Sequence, residues 1–340
     1  MTSQIEVLAF GEVMLRLAAP DHERLLQSAR LVATFGGAEA NVAVSLARLG
    51  HTSGFVSTLP HGALGDAAQD QLRLHGVDLS RVRRTKGRLG LYFLTPGAVQ
   101  TPSEVIYDRA GSCFALARPE DYDWPALLSG AKWLHLSGVT PAICDATCQL
   151  ALDAARCANG LGIKVSFDGN FRGKLWAEWP SDPSAAYRAL LSTATLASIN
   201  ELDIGLALGE RFDEADLFTR RRKAADRAFE AFPRLECIGN TVRQLDGVDS
   251  QTLSALLFRR SGHVEAAPRQ LRGVVDRIGG GDAFAAGLLH GLLAGLEDAH
   301  TIEFALAASV LKHAIPGDFN PSTQDEVENL IKRAGLDVRR

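Results

Sequence analysis

One stretch constrains this chain more than any other: Asp276-Arg277-Ile278-Gly279-Gly280-Gly281-Asp282-Ala283-Phe284-Ala285-Ala286-Gly287. Three consecutive glycines stand directly before an acid and an apolar run. Phe284, Leu288, Leu289 and Leu292 recur at helical spacing, which predicts a helix over residues 283–293. A helix start leaves backbone N–H groups unpaired and carries partial positive charge, so it is an anion site. Glycines let a phosphate approach those groups closely. Asp282 then stands at the mouth of a phosphate site, where it can take the proton of an attacking hydroxyl. The plainer reading is a glycine turn with Asp282 as the N-cap. Against it stand Asp276, six residues upstream, and Gly287, whose place inside a helix costs about 1 kcal/mol and needs a packing or ligand reason.

The rest of the chain alternates strand and helix. Residues 5–12 read as a buried first strand, and residues 13–17 as a second extended piece. Residues 31–35 lead into Gly36-Gly37 and a helix of small apolar residues that stops at Gly50. Residues 51–59 form a strand, and Gly65-Asp66 opens a helix to about His75. Core strands at 133–138, 164–168, 194–199, 235–238 and 253–259 follow, the last with a partner near 264–266. Helices are expected at 145–161, 301–311 and 323–334. This order implies a mostly parallel sheet in an α/β fold. Two extended runs, 88–95 and 103–109, are joined by a Pro96-Gly97 turn and read as an antiparallel ribbon outside that sheet. Residues 246–252 read as a loop, and the whole chain, 1–340, as one domain carrying a small lid at about 13–35 and 88–110.

Composition closes off several classes. The net charge is −4, from 36 basic and 40 acidic residues. The densest basic run, Arg220 to Lys223, lies among Glu214, Asp216, Asp226 and Glu230 and reads as a solvated helix face. No nucleic acid partner is expected. Cys113, Cys144, Cys148, Cys157 and Cys237 are odd in number and form no C-x-x-C, so reduced thiols are expected rather than a metal site. Residues 1–6 show no leader pattern and no run approaches a membrane span, which points to a cytoplasmic protein without a membrane partner.

The segment from Asp276 to Gly287 resembles the second signature of the ribokinase-like (PfkB) carbohydrate kinases, D-x-x-G-x-G-D-x-F-x-x-G, at Asp276, Gly279, Gly281, Asp282, Phe284 and Gly287. Gly36, Gly37, Asn41 and Ala43 resemble the first signature, G-G-x-x-x-N-x-A. The resemblance implies a three-layer α/β/α sandwich with a β-sheet lid, Asp282 as the catalytic base, and the Gly279–Gly281 backbone as an anion hole. It implies ATP and Mg²⁺, the metal held largely through water by an N-x-x-E motif. Here that motif is Asn200-Glu201-Leu202-Asp203, with a shorter acid. Nucleotide contacts fall on Asn200, Thr241, Arg243, Gly279, Gly281 and His313. Thr241 and Arg243 replace a glycine loop common in the family. Asp276 and Ile278 match positions where some relatives bind K⁺. Relatives also dimerise through the lid, whose Leu91 and Phe93 offer an apolar face.

The substrate reading rests on arginines. A neutral sugar needs no guanidinium, whereas a carboxylate is gripped by paired charge-assisted bonds. Y-x-R at Tyr107–Arg109 and D-x-N-x-R-x-x-L-W at Asp168–Trp176 resemble the substrate motifs of 2-keto-3-deoxygluconate kinases. By that resemblance Gly36, Gly37, Asn41, Tyr92, Tyr107, Arg109, Arg172 and Asp318 hold the sugar acid, and Asp282 activates its primary hydroxyl. Leu15-Arg16-Leu17 stands where relatives acting on neutral sugars often carry an Asp. A fructokinase or ribokinase type of enzyme and a catalytically silent sugar-binding regulator remain the alternatives. A nucleotide-dependent oxidoreductase is disfavoured, because no G-x-G-x-x-G follows the first strand.

Overall fold

The computed structural model describes residues 5–98 and 100–332. The start of the chain read for a leader, residues 1–4, and the end of the last expected helix, Arg333 and Ala334, lie outside the described residues. The first half runs β1 (Ile5–Phe10), β2 (Met14–Ala18), β3 (Val32–Gly36), α1 (Ala38–Arg48), β4 (Ser53–Pro60), α2 (Ala63–Leu74), β5 (Val82–Thr85), β6 (Leu91–Thr95), β7 (Glu104–Asp108), α3 (Trp124–Leu128) and β8 (Ala131–Ser137). It continues with α4 (Asp145–Gly160), β9 (Lys164–Asp168), α5 (Gly173–Trp176), α6 (Pro183–Leu191), β10 (Leu196–Ser198), α7 (Glu201–Leu208) and α8 (Leu217–Ala231). The chain then forms β11 (Cys237–Leu245), β12 (Ser250–Arg259), β13 (Gly262–Arg272), α9 (Gly280–Ala294), α10 (Asp298–Lys312) and α11 (Gln324–Lys332).

Nine strands form one sheet in the order β13-β12-β11-β10-β9-β8-β1-β4-β5. Pairing is parallel from β5 to β11 and antiparallel from β11 to β13. Parallel neighbours need crossovers, and the helices supplying them cover both faces. On β1 the faces separate residue by residue: Leu8 and Phe10 enter a cluster with Phe167, Tyr187 and Phe229, whereas Val7 joins Val42, Leu46, Leu288 and Leu306. Phe10, fully buried among Phe114, Tyr122 and Trp124, contributes roughly 2–3 kcal/mol by burial alone. The α/β expectation therefore holds.

A second, four-stranded sheet has the order β3-β2-β6-β7. The expected ribbon of β6 and β7 is antiparallel, while β6 joins β2 in parallel. Its register lines up Thr34, Arg16, Tyr92 and Tyr107 in one row across the four strands. Side chains alternate between faces along a strand, so this row shares one face. Leu17, Leu91, Phe93 and Ile106 occupy the other face, half-buried or exposed.

Three local expectations need correction. Residues 239–243 do not form a strand-end loop but continue β11, because each pairs with β12. Their polar side chains suggested a loop, but the cross-strand ladder overrides that preference. Ser250 to Thr252 belong to β12 for the same reason. The short β5, rich in arginine, was not expected and pairs with the edge of β4.

Candidate active site

Helix α9 begins inside the glycine run. Gly279 is its N-cap at φ 83°, a left-handed conformation that favours glycine, and a Cβ there would overlap the Asp318 carbonyl. Gly280 donates its N–H to Arg277 O at 3.3 Å. The N–H groups of Gly279, Gly281 and Asp282 form no hydrogen bond among the described residues. Gly281 is exposed, and nothing stands within 4 Å of where its Cβ would be. The unpaired amides at the start of α9 that an anion could reach are thus those of Gly281 and Asp282, since the Gly280 N–H is already bonded. Gly287 answers to packing, since a Cβ there would press on the backbone of Ala305 in α10.

Asp282 is buried and accepts a 2.6 Å bond from Asn41 Nδ2. Burial is the main force raising its carboxyl to about 6, with Asp318 and Glu39 adding to it and Asn41 and Arg172 opposing it. A base poised there is ionised at neutral pH yet close enough to accept a proton. Asn41 Oδ1 accepts from Gly37 N–H at 3.2 Å, so the turn of the glycine pair is tied through Asn41 to Asp282. Gly36 and Gly37, expected at the substrate, are buried and have a packing reason of their own. A Cβ on Gly36 would overlap the Asp318 carboxylate, and one on Gly37 the Glu12 carbonyl. The pair makes room for other parts of the protein.

The carboxyl edge of the large sheet gathers acids. Asp168, at the end of β9, is buried and has no hydrogen-bond partner for its side chain among the described residues. Burial, then Asp282 and Asp203, push its carboxyl well above the usual range. Asn200 caps α7, its side chain taking the N–H groups of Leu202 and Asp203. Asp203 returns one oxygen to Asn200 N–H at 3.0 Å, and burial raises it to about 6. Glu201 points away, paired with Arg221 at 3.0 Å. Arg221 also grips Asn240 Oδ1 and Thr241 O, so this member of the basic run is a brace between α8 and β11 and not a solvated charge. After β9 the chain turns through Asn170 at φ 40°, and Arg172 comes back exposed. Its charge lowers both Asp282 and Asp168, and its guanidinium forms no ion pair or hydrogen bond among the described residues.

Cations gather on the other flank of the glycine turn. Thr241 and Arg243 stand two residues apart on β11, hence on one face. Arg243 and Arg277 feel each other's charge, and both depress His313, which burial chiefly lowers to about 4. Neutral His313 donates Nδ1–H to Ser309 O at 2.7 Å; its Nε2 is buried without a partner, and its ring faces Gly280. Arg277, whose Nη2 donates to Gly247 O, was not expected here.

The small sheet brings its row of side chains onto Asp318. The Tyr92 hydroxyl lies 2.6 Å from both carboxylate oxygens, and Arg16 Nη1 donates at 3.0 Å. Arg16 Nη2 also pairs with Asp276 at 2.7 Å. Tyr107 is more exposed, beside Tyr92, with the Arg109 guanidinium 5.7 Å over its ring. Arg109, expected to hold the sugar acid, is buried and pairs with Glu12 at 2.6 Å. Its Nη1 remains buried without a partner. Asp276 faces donors only: Arg16, Ile278 N–H and Gly317 N–H at 3.0 Å. The potassium reading of Asp276 and Ile278 gains no support from a carboxylate so engaged.

Residues 4–323 match the family described as pfkB family carbohydrate kinase. The protein belongs to that family. As a carbohydrate kinase it is a phosphotransferase. It is 33% identical to the 2-dehydro-3-deoxygalactonokinase of Haloferax volcanii, over 98% of this chain and 99% of that protein. It is 27% identical to the 2-dehydro-3-deoxygluconokinase of Bacillus subtilis, over 93% and 92%. The crystal structure of 2-dehydro-3-deoxygluconokinase from Thermotoga maritima superposes with a TM-score of 0.89 at 38% identity, covering 97% of this chain and all of that one. The ribokinase-like fold expected from the signatures is therefore the fold of this kinase. Arg16, Glu12, Arg277 and Lys312 were not expected at the site, and Asp168 was expected there only as the first residue of a substrate motif. Arg16 carried one weak signal, a charge inside an otherwise apolar strand, and Asp168 another, an acid at a strand end, whereas Lys312 at the end of a helix carried none.

Proposed function

We propose that this kinase transfers the γ-phosphoryl group of ATP to the primary hydroxyl of 2-keto-3-deoxygluconate or its C4 epimer, giving the 6-phosphate and ADP. The observation that carries the reading is Arg172, an unpaired guanidinium whose charge reaches Asp282. The unpartnered Nη1 of Arg109 and the hydroxyl of Tyr107 supply further donors on the lid side. A neutral sugar would leave such a cation unmatched, whereas a sugar carboxylate accepts its paired N–H groups. The names of the similar kinases, acting on 2-dehydro-3-deoxy sugar acids, agree with it.

In this reading Asp282 receives the proton of the C6 hydroxyl as its oxygen bonds to the γ-phosphorus and the bond to the bridging oxygen of ADP breaks. Asn41 holds the carboxylate in aim. The amides of Gly281 and Asp282 face the charge on the transferring group, with the glycines keeping that approach open. Arg243, Thr241 and Arg277 flank the nucleotide phosphates, and neutral His313 offers Nε2 as an acceptor. Arg172, Tyr107 and Arg109 fix the carboxylate end of the substrate, so the hydroxyl meets Asp282.

The acid set fits Mg²⁺. Asp168 is buried and unpartnered, and Asp203 keeps one oxygen free. No three His, Cys, Asp or Glu side chains converge on one metal among the described residues, as suits a Mg²⁺ that keeps several waters and binds phosphate. Asp168 and Asp203 would hold it, where it would neutralise charge on the phosphates.

Five free cysteines agree with a cytoplasmic setting, and among the described residues no helix is long and apolar enough to cross a membrane. The face carrying Leu17, Leu91, Phe93 and Ile106 supports a dimer through the lid. Equilibrium sedimentation of a Phe93→Glu variant tests it, and a wild-type monomer at micromolar concentration would remove it. For the substrate, the test is Arg172→Ala: kcat/KM on the keto acid should fall by about 10²–10³-fold, the loss of a charge-assisted grip. Unchanged turnover would leave the sugar-acid reading without its main support.

A further inference from the structure

The last residue of α10, Lys312, has no exposure at all. Its Nζ donates to Ile315 O at 2.8 Å, and this is its one hydrogen bond among the described residues. Its neighbours by charge are Asp276, Asp318 and Asp282, which attract it, and Arg16, which repels it. Its Cε lies 3.2 Å from where a Cβ of Gly279 would stand, directly behind the turn that starts α9. A buried ammonium is costly unless nearby oxygens repay its lost water, so a lysine here needs a reason beyond filling space.

The surroundings supply one. Two backbone segments meet around this ammonium. Val275 and Asp276 donate their N–H groups to His313 O, and Gly317 donates to Asp276 Oδ2. The first segment runs straight into the Gly279 N-cap, and the second carries Asp318, the anchor of Tyr92 and Arg16. The Ile315 carbonyl and the buried Asp276 and Asp318 carboxylates between these segments call for positive charge. In this chain that charge is part of the protein. Asp276 and Asp318 are matched by Arg16 and Lys312, two negative charges by two positive. A potassium ion brought among them would meet two fixed cations and a carboxylate already holding three donors. The residues present do not fit a bound monovalent metal.

We infer that the Lys312 ammonium is a built-in cation that braces the glycine turn, so that this kinase needs no added potassium. Lys312 acts as a positioning residue: it holds the 275–279 segment so that the amides of Gly281 and Asp282 keep their aim. The inference rests on the kinase activity of the family but not on which sugar acid is the substrate.

The experiment compares wild type and Lys312→Met in chloride salts of potassium, ammonium, methylammonium and tetramethylammonium, at equal ionic strength of about 0.1 M. Thermal unfolding is followed first, without substrate, and ADP release second, with whichever sugar acid wild type turns over. Wild type should show the same unfolding midpoint and the same kcat in all four salts. The Met variant keeps the shape and loses the charge, so in tetramethylammonium its kcat should fall by roughly 10–100-fold, the scale of a misplaced catalytic frame. Potassium, ammonium or methylammonium should restore part of that loss and raise its unfolding midpoint. A lysine that only filled space would give no such salt response. Activation of wild type by potassium over tetramethylammonium, by about fivefold or more, would overturn the inference, and this arm stands even where the Met variant does not fold. A folded Met variant with wild-type kcat would overturn it equally. Failure of wild type to turn over any sugar acid would instead count against the substrate reading and leave the unfolding arm to decide this one.

Discussion

Asn41 Nδ2 donates to Asp282 Oδ2 at 2.6 Å, while Asn41 Oδ1 accepts the Gly37 N–H at 3.2 Å. One side chain thus joins the two glycine turns, which lie about 240 residues apart in sequence. It is also the leading force that lowers the Asp282 carboxyl against burial. Removing it in Asn41→Ala should move the acid limb of kcat/KM, expected near pH 6, to higher pH. Activity should then fall more at pH 6 than at pH 8, by about tenfold or more at the lower value. A pH–rate profile checks this, and an unmoved limb would contradict it.

Asp282→Asn separates chemistry from stability. Loss of the base should lower kcat by roughly 10³-fold or more. Its carboxyl is raised from 3.8 to about 6 in the folded chain, so folding disfavours the ionised form. Native stability is therefore withheld as pH rises from about 4 to 6, and an uncharged Asn avoids that loss. At pH 8 the variant should unfold at the wild-type temperature or above, with about 3 kcal/mol as the ceiling, and at pH 4 the difference should shrink. A clear drop in stability at pH 8 would contradict this account of the buried acid.

Arg16 is the reverse case, a buried charge whose removal strands its partners. In Arg16→Met, Asp276 and Asp318 lose their guanidinium and remain inside. Urea unfolding should show a loss of about 3–5 kcal/mol, with part recovered when Asp276→Asn is added. Losing less than about 1 kcal/mol would mean that the network carries little.

Asp203 should report on the metal. Burial raises it to about 6, and a proton there competes with a cation. Apparent Mg²⁺ affinity should therefore strengthen as pH rises through about 6. Asp203→Asn should weaken it by roughly tenfold and flatten that dependence. Metal titrations of the activity at pH 5.5 and 8 test both statements, and a pH-independent wild type would contradict them.

What could be read from the sequence was local. The signature segment from Asp276 to Gly287 carries its meaning within twelve residues, and the alternation of strand and helix pointed to the parallel sheet. The small sheet was legible from the Pro96-Gly97 turn between two extended runs. What could not be read depends on partners far along the chain. Arg16 meets Asp318 across 302 residues, and Glu12 reaches Arg109 across 97. An arginine facing substrate and one facing a buried glutamate look the same in a string of letters. Lys312 ends an ordinary helix, and only the packing of α10 against the glycine turn makes its burial visible. The polar run in β11 read as a loop because its pairing with β12 is tertiary information.

The most direct test of the central claim is ADP release with Mg·ATP on three acceptors: 2-keto-3-deoxygluconate, fructose and ribose. The account predicts turnover on the keto acid, with kcat/KM on either neutral sugar lower by about 10²-fold or more, and loss of that preference in Arg172→Ala. Equal or better turnover on a neutral sugar would contradict the carboxylate grip at Arg172 while leaving a kinase with Asp282 as its base.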